Sequence, residues 1–232
     1  MIMPRNTLDK DFRTLGYVLR RTNYGEADRI LNIITPKGKI AAIAKGVRRE
    51  KSKLAGGVEM FSLVDLNVHR GRSELMVVTS AKMIKYYSNI LRDFARMELA
   101  ALILKKINIA AESSDNSEFF DIVDQGLAGL DLGLNLELVE VWFWLRLLKG
   151  YGEEVNLYWD IAGQKLSSEK RYNYDVMEKA FVEDVCGEFG VNEIKMLRLM
   201  LTTKLVVVAR VKDAEIVIPK VLRLARIVSG AI

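Results

Sequence analysis

Five cations, Lys45, Arg48, Arg49, Lys51 and Lys53, fall within nine consecutive residues, opposed only by Glu50. Like charges this close repel one another, so folding alone does not call for them. Their chemistry is the capture of anions. Lysine supplies a point charge, and arginine a planar fork that can hold two phosphate oxygens at once. Further cations flank turns or strands that a small β structure would bring near: Lys37 and Lys39 beside Thr35-Pro36-Lys37-Gly38, Arg70 and Arg72 in "HRGR", and Arg20 on an apolar run.

Residue types for bond-making chemistry are scarce. The chain has one histidine, His69, and one cysteine, Cys186. It contains no H-E-x-x-H, G-x-S-x-G, phosphate-loop or G-x-G-x-x-G pattern. His69 falls on the polar side of a strand and reads as solvent-facing, and Cys186 reads as a small buried hydrophobe in a helix. Glu153-Glu154 and Glu183-Asp184 are adjacent pairs that do not face each other on a helix, so both read as solvated surface. The chain is therefore expected not to be an enzyme and to need no cofactor or metal.

Charge is unevenly placed. Residues 1–83 carry 16 Lys and Arg against 8 Asp and Glu, a net of +8, while 84–232 carry 19 against 22, a net of −3. Half of the 232 residues are apolar, so a substantial core can form. A lone cysteine excludes an internal disulfide and a thiolate zinc site and suits a reducing compartment. The first residues, "MIMPRNTLDKDF", lack a long apolar stretch of a secretory signal, and no run approaches the ~18 apolar residues of a membrane span. These features predict a cytoplasmic protein without a membrane partner.

Two kinds of periodicity must position these residues. Residues 13–80 read as five short strands. "FSLVDLNVH" alternates, with Val64, Leu66 and Val68 on one face and Asp65, Asn67 and His69 on the other. The Thr35–Gly38 turn suits a hairpin. Five short strands in about seventy residues predict a small barrel or open roll. From about Met83 the period becomes helical. "NLELVEVWFWLRLLKGYG" is apolar nearly all round and reads as a buried central helix. Residues 152–175 read as irregular. A helix is predicted through Met177, Phe181, Val185 and Phe189, another through Ile194, Leu197, Leu201, Leu205 and Val208, and a short tail opening at Pro219. The expected class is α+β in two domains, 1–82 and 83–232.

A basic surface on a small barrel is the footprint of a nucleic-acid binder. Residues 1–83 hold only Phe12, Tyr17, Tyr24 and Phe61 as aromatics, most of them expected in the core. That is too few to stack many bases, so contacts to the phosphate backbone should dominate, on single and double strands alike.

The segment "YGEADRILNIITPKGKIAAIAKGVRREKSKLAGGVEMFSLVDLNVHRGRSEL" resembles the N-terminal domain of the RecO family of bacterial recombination mediators. The likeness rests on "YGEADRI", the T-P-K-G-K hairpin, the "AKGVRREKSKLAGG" block and the F-S-L-V-D strand closing at "RGR". The resemblance implies an oligonucleotide/oligosaccharide-binding (OB) barrel followed by an all-helical domain. It also implies binding of single- and double-stranded DNA, annealing, and loading of recombinase on DNA coated with single-strand-binding protein, with RecR as partner and no small-molecule substrate. The DNA-contacting role carries to Lys45, Arg48 and Arg49, then to Lys51 and Lys53, with Lys37, Lys39, Arg70, Arg72 and Arg20 as further candidates. The tail of single-strand-binding protein would need an apolar groove with a few cations on the helical domain.

Where the family often carries a C-x-x-C-G zinc module, this chain has Trp159 and Ala162 before Gly163, so a metal-free module over about 152–175 is expected, packed around Tyr158, Trp159, Tyr172 and Tyr174. The other readings of the same residues are a different OB-fold nucleic-acid module, or a protein-interaction scaffold whose basic loop meets an acidic partner.

Overall fold

The computed structural model describes residues 10–71, 75–113 and 117–230. The first five strands are β1 (Asp11–Tyr24), β2 (Asp28–Thr35), β3 (Gly38–Ala44), β4 (Ser62–His69) and β5 (Met76–Tyr86). They close a barrel in the order β1-β2-β3-β5-β4. β1 is long enough to pair with β4 through its first half and with β2 through its second. The seam that completes the ring is a parallel β3–β5 pairing of two rungs, Ala42 with Met76 and Ile43 with Val77. Inward alternation supplies the core: Val18, Leu31, Ile33, Ala42, Val64, Leu66, Val68 and Val78 are buried together.

The helices are α1 (Phe94–Ser113), α2 (Glu118–Asp131), α3 (Leu136–Gly150), α4 (Val191–Thr202), α5 (Leu205–Val208) and α6 (Ala214–Ser229). The chain packs as two units. One runs to Ser88 and takes in Ala101–Asp124. The other takes Asn89–Ala100 and everything from Gln125 onward. Residue 83 lies inside β5, and the helical stretch 101–124 groups with the barrel for a physical reason. The Tyr17 hydroxyl hydrogen-bonds Asp124 and, at 2.9 Å, Tyr87. The Tyr17 ring lies 5.4 Å from Phe120. Burial, then the Asp124 bond, drives the Tyr17 phenol far above its ordinary pKa, so it stays a neutral donor.

In the second unit α3 is the buried centre, as its composition predicts, with Trp142, Phe143 and Leu145 fully enclosed. Asn135 caps it by accepting the Leu138 N–H at 3.0 Å. The helix predicted through Ile194 to Val208 is broken at Thr203 and Lys204 into α4 and α5. Pro219 does not open a tail: it sits inside α6.

The helix predicted through Met177, Phe181, Val185 and Phe189 is absent. That stretch forms a two-stranded sheet, β6 (Tyr172–Asp175) with β7 (Ala180–Glu183). Residues four apart share a face in a strand as well as in a helix, so the spacing alone could not choose. The turn decides it. The Asp175 carboxylate accepts the N–H groups of Met177 and Glu178 at 2.8 and 3.0 Å, and Lys179 takes a left-handed φ of 50°. Phe181, Tyr172 and Phe189 are buried with their rings edge-on to one another, while Met177 and Val185 are 91% and 88% exposed. Gly187 passes so close to Tyr172 that a Cβ would lie 2.5 Å from its backbone. Cys186, beside it, is exposed rather than buried.

Candidate nucleic-acid interface

The basic segment joins β3 to β4. It is anchored at both ends by apolar side chains, Val47 at 2% and Val58 at 0% exposure, which enter the barrel core with Leu54 packed against it. At its start the Asp28 carboxylate accepts the Gly46 N–H at 2.7 Å, and the Ala27 carbonyl accepts the Arg48 N–H at 2.9 Å. A short 3-10 turn, Ala55–Gly57, then presses on β5. A Cβ on Gly57 would sit 2.4 Å from the Ala81 carbonyl oxygen, so only glycine fits. Lys45, Arg48, Arg49, Lys51 and Lys53 all point to solvent. None forms an ion pair with a described carboxylate. Arg48 reaches only the Gly25 carbonyl, at 3.4 Å.

The strand register gathers some of the predicted cations and separates others. One near-continuous rung winds round the barrel from the last residue of β1 to its first: Tyr24 pairs with Asp28, Arg29 with Ala44, Ile43 with Val77, Val77 with His69, and His69 with Asp11. The β1–β2 turn, the basic segment and the β4–β5 connection all leave the barrel at this rung. Arg70, exposed and with its N–H on the Lys10 carbonyl, therefore shares a rim with Lys45 and Arg48. Arg72 lies outside the described residues. Arg20 is exposed midway along β1, opposite Asn32.

Lys37 and Lys39 occupy the far ends of β2 and β3, about 20 Å away by strand rise. Lys37 is exposed. Lys39 is already engaged, its ammonium donating to the Asn108 carbonyl at 2.8 Å and pairing with Glu112 at 3.0 Å.

Other barrel charges are balanced locally. Arg21 pairs with Glu59 at 2.7 Å. Arg13 grips Asp65 with two nitrogens, and that hydrogen bond holds the Asp65 carboxyl below the usual carboxylate range. His69 is not free in solvent: its Nδ1 meets Asp11 at 2.7 Å.

Of the four aromatics in residues 1–83, most of them expected in the core, Tyr24 is 55% exposed at the end of β1. Lys10, whose carbonyl accepts the Arg70 N–H, is a further exposed cation that pattern reasoning missed. Its signal was its position one residue before a strand that begins beside "HRGR".

The zinc module implied by the resemblance does not fit the residues present. Trp159 and Ala162 offer no metal-binding atoms, and among the described residues no group of three or more His, Cys, Asp or Glu is placed to hold an ion. Of the aromatics expected to replace the metal, Tyr172 and Tyr174 pack on Phe181, whereas Tyr158 and Trp159 are about half exposed. The guanidinium of Arg198 sits over the Tyr158 ring at 4.7 Å. No described helix is long and apolar enough to cross a membrane.

Comparison with known proteins agrees with the barrel. Residues 10–87 match the family model "Recombination protein O N terminal". A DNA repair protein RecO of Alkaliphilus metalliredigens is 32% identical over 206 residues, covering 88% of this chain and 82% of the relative. One of Dehalococcoides mccartyi is 33% identical over 64% of this chain and 60% of the relative. One of Bifidobacterium longum is 43% identical over 44% of this chain and 43% of the relative. A ring of strands in OB order, a cation-bearing segment between β3 and β4, and a likeness that runs on into the helices together lead to one assignment: the chain belongs to the RecO family of DNA repair and recombination proteins.

Proposed function

We propose that this protein is a recombination mediator that binds single- and double-stranded DNA through the basic rim, anneals complementary strands, and helps load recombinase on DNA coated with single-strand-binding protein, with RecR as partner. It works in the cytoplasm and joins the nucleoid when bound to DNA. The observation that carries this reading is the β3–β4 segment, whose fold depends on Val47, Val58, Gly57 and Asp28 while its five cations are exposed and form no ion pair with a described carboxylate. Ordered, unneutralised cations suit a polyanionic backbone. Two strands approaching each other repel through their phosphates, and a surface of this kind lowers that repulsion without bond chemistry or nucleotide.

The contact set is Lys45, Arg48 and Arg49, then Lys51 and Lys53, with Arg70 and Arg20 in support. Lys37 stands apart, and Lys39 would have to leave Asn108 and Glu112 to take part. In the second unit a groove of about 560 Å³ between α4 and α6 has apolar walls from Met196, Leu199, Ile216 and Val217, with Lys195 and Lys212 at its edge. It suits the acidic, apolar-ended tail of single-strand-binding protein.

The deciding experiment is strand annealing with the paired change Arg48→Glu and Arg49→Glu. The variant should fold as the parent does and lose most annealing. Parental annealing would overturn the assignment. Parental binding should weaken with salt at a slope near −0.9 per phosphate on duplex, with about three to six phosphates engaged. A flat titration would remove the electrostatic basis.

A further inference from the structure

We infer that Tyr24 is a base-stacking platform, the single point at which this rim distinguishes an unpaired strand from a duplex. The inference rests on the DNA-binding reading above and adds a nucleobase site to a surface otherwise built for phosphates.

The geometry singles out this ring. Tyr24 ends β1 and is 55% exposed. Its side chain has no hydrogen-bond, ring or cation partner among the described residues. Its register partner is Asp28, the carboxylate that fastens the basic segment through Gly46. The next residue, Gly25, offers the carbonyl met by the Arg48 guanidinium at 3.4 Å. The phenol ring thus stands beside the cations that would hold a phosphate backbone. A nucleotide gripped there brings its base within reach of the ring face.

An isolated exposed aromatic on a protein surface is ordinary. What distinguishes Tyr24 is the contrast with the other aromatics of the barrel. Tyr17 and Tyr87 are buried and hydrogen-bonded to each other, and Phe12 packs against the core. Tyr86 is 41% exposed but lies at the far end of β5, opposite Ser62. Among the described residues, only Tyr24 offers a free ring on the cationic rim.

One platform suits annealing better than several. A groove that stacked every base would hide the edges that must pair. A backbone grip with one stacked base holds a strand without register and leaves its neighbours free. In a duplex every base is already stacked, so the ring gains nothing there.

The test is equilibrium binding of a twenty-nucleotide thymidine strand, an abasic strand of equal length and a duplex, using the parent protein, Tyr24→Ala and Tyr24→Phe. Tyr24→Ala should bind the thymidine strand about tenfold more weakly, the size of one lost base stack. Its affinity for the duplex and the abasic strand, and its salt slope, should stay within twofold of the parent's. Tyr24→Phe should bind like the parent. Equal loss on all three ligands would mark a backbone or structural contact and overturn the inference, as would no loss on any. Loss in Tyr24→Phe equal to that in Tyr24→Ala would assign the effect to the hydroxyl and overturn stacking. Failure of the parent to bind any of the three would instead defeat the DNA-binding reading, and the stacking site with it.

Discussion

The Asp28 carboxylate accepts the Gly46 backbone N–H at 2.7 Å, joining the "YGEADRI" hairpin to the start of the basic segment. Two pieces of sequence eighteen residues apart thus form one structural unit. Charge alone does not explain an acidic residue beside a cluster of cations; this one serves as a fastener. Asp28→Ala should lower stability by about 1–2 kcal/mol and weaken DNA binding by loosening the segment. Asp28→Asn removes the same charge yet keeps an accepting oxygen, so it should restore most of both. Chemical denaturation and fluorescence anisotropy on the two variants separate the bond from the charge.

Lys39 and Lys45 bracket β3 and should behave oppositely. Lys45→Ala should weaken DNA binding several-fold with stability unchanged, because its ammonium is free in solvent. Lys39→Ala should lower stability by about 1 kcal/mol through loss of its bond to the Asn108 carbonyl. Its effect on DNA affinity should be small. Thermal melts and binding titrations on both variants check the reversal.

Gly57→Ala should be among the most damaging small substitutions in the barrel. The added methyl meets the Ala81 backbone at 2.4 Å, and backbone has little room to yield. A loss of about 1–3 kcal/mol is expected. Raised hydrogen exchange in 45–58, with the strands still protected, would show that the damage is confined to the segment.

The buried Tyr17 hydroxyl bonds Asp124 and Tyr87 within the first unit. Tyr17→Phe keeps the ring against Phe120 but leaves a carboxylate short of a donor, for an expected loss of about 1–3 kcal/mol. Equilibrium unfolding measures it. A change within 0.3 kcal/mol would mean that water replaces the hydroxyl at no penalty.

The β6–β7 module should behave as an aromatic core rather than a metal site. Purified protein should contain well under one zinc per chain, and chelator should leave its melting temperature unchanged. Phe181→Ala should lower stability by about 3–5 kcal/mol. Stoichiometric zinc by metal analysis would overturn the assignment.

How much of this could be read from the chain depends on which interactions are local. The alternation of "FSLVDLNVH" and the Thr35–Gly38 turn specify strands through neighbouring residues, and both are present. Helix α3 was legible because its apolar residues cover every side. The 177–189 region misled because even spacing fits two geometries, and the choice falls to the Asp175 turn and to the contact of Gly187 with Tyr172. Pro219 read as a boundary although α6 accommodates it within its first turns.

The cationic rim was legible only in part. Density of charge marked the segment itself. Whether Lys39 was free, or Tyr24 exposed, depended on partners 69 to 73 residues distant for the one and on the end of a hairpin for the other. Distance along a chain hides such outcomes, because pairing across a barrel is set by register rather than by proximity in sequence.

The β3–β4 connection separates shape from charge: apolar anchors and one glycine hold its course, while the side chains of Lys45, Arg49, Lys51 and Lys53 project into solvent. Positions 45, 49, 51 and 53 therefore form a tunable dial for engineering. Under the proposed DNA-binding role, swapping, adding or deleting cations there should raise or lower the grip on a polyanion in steps, with the scaffold indifferent to the setting.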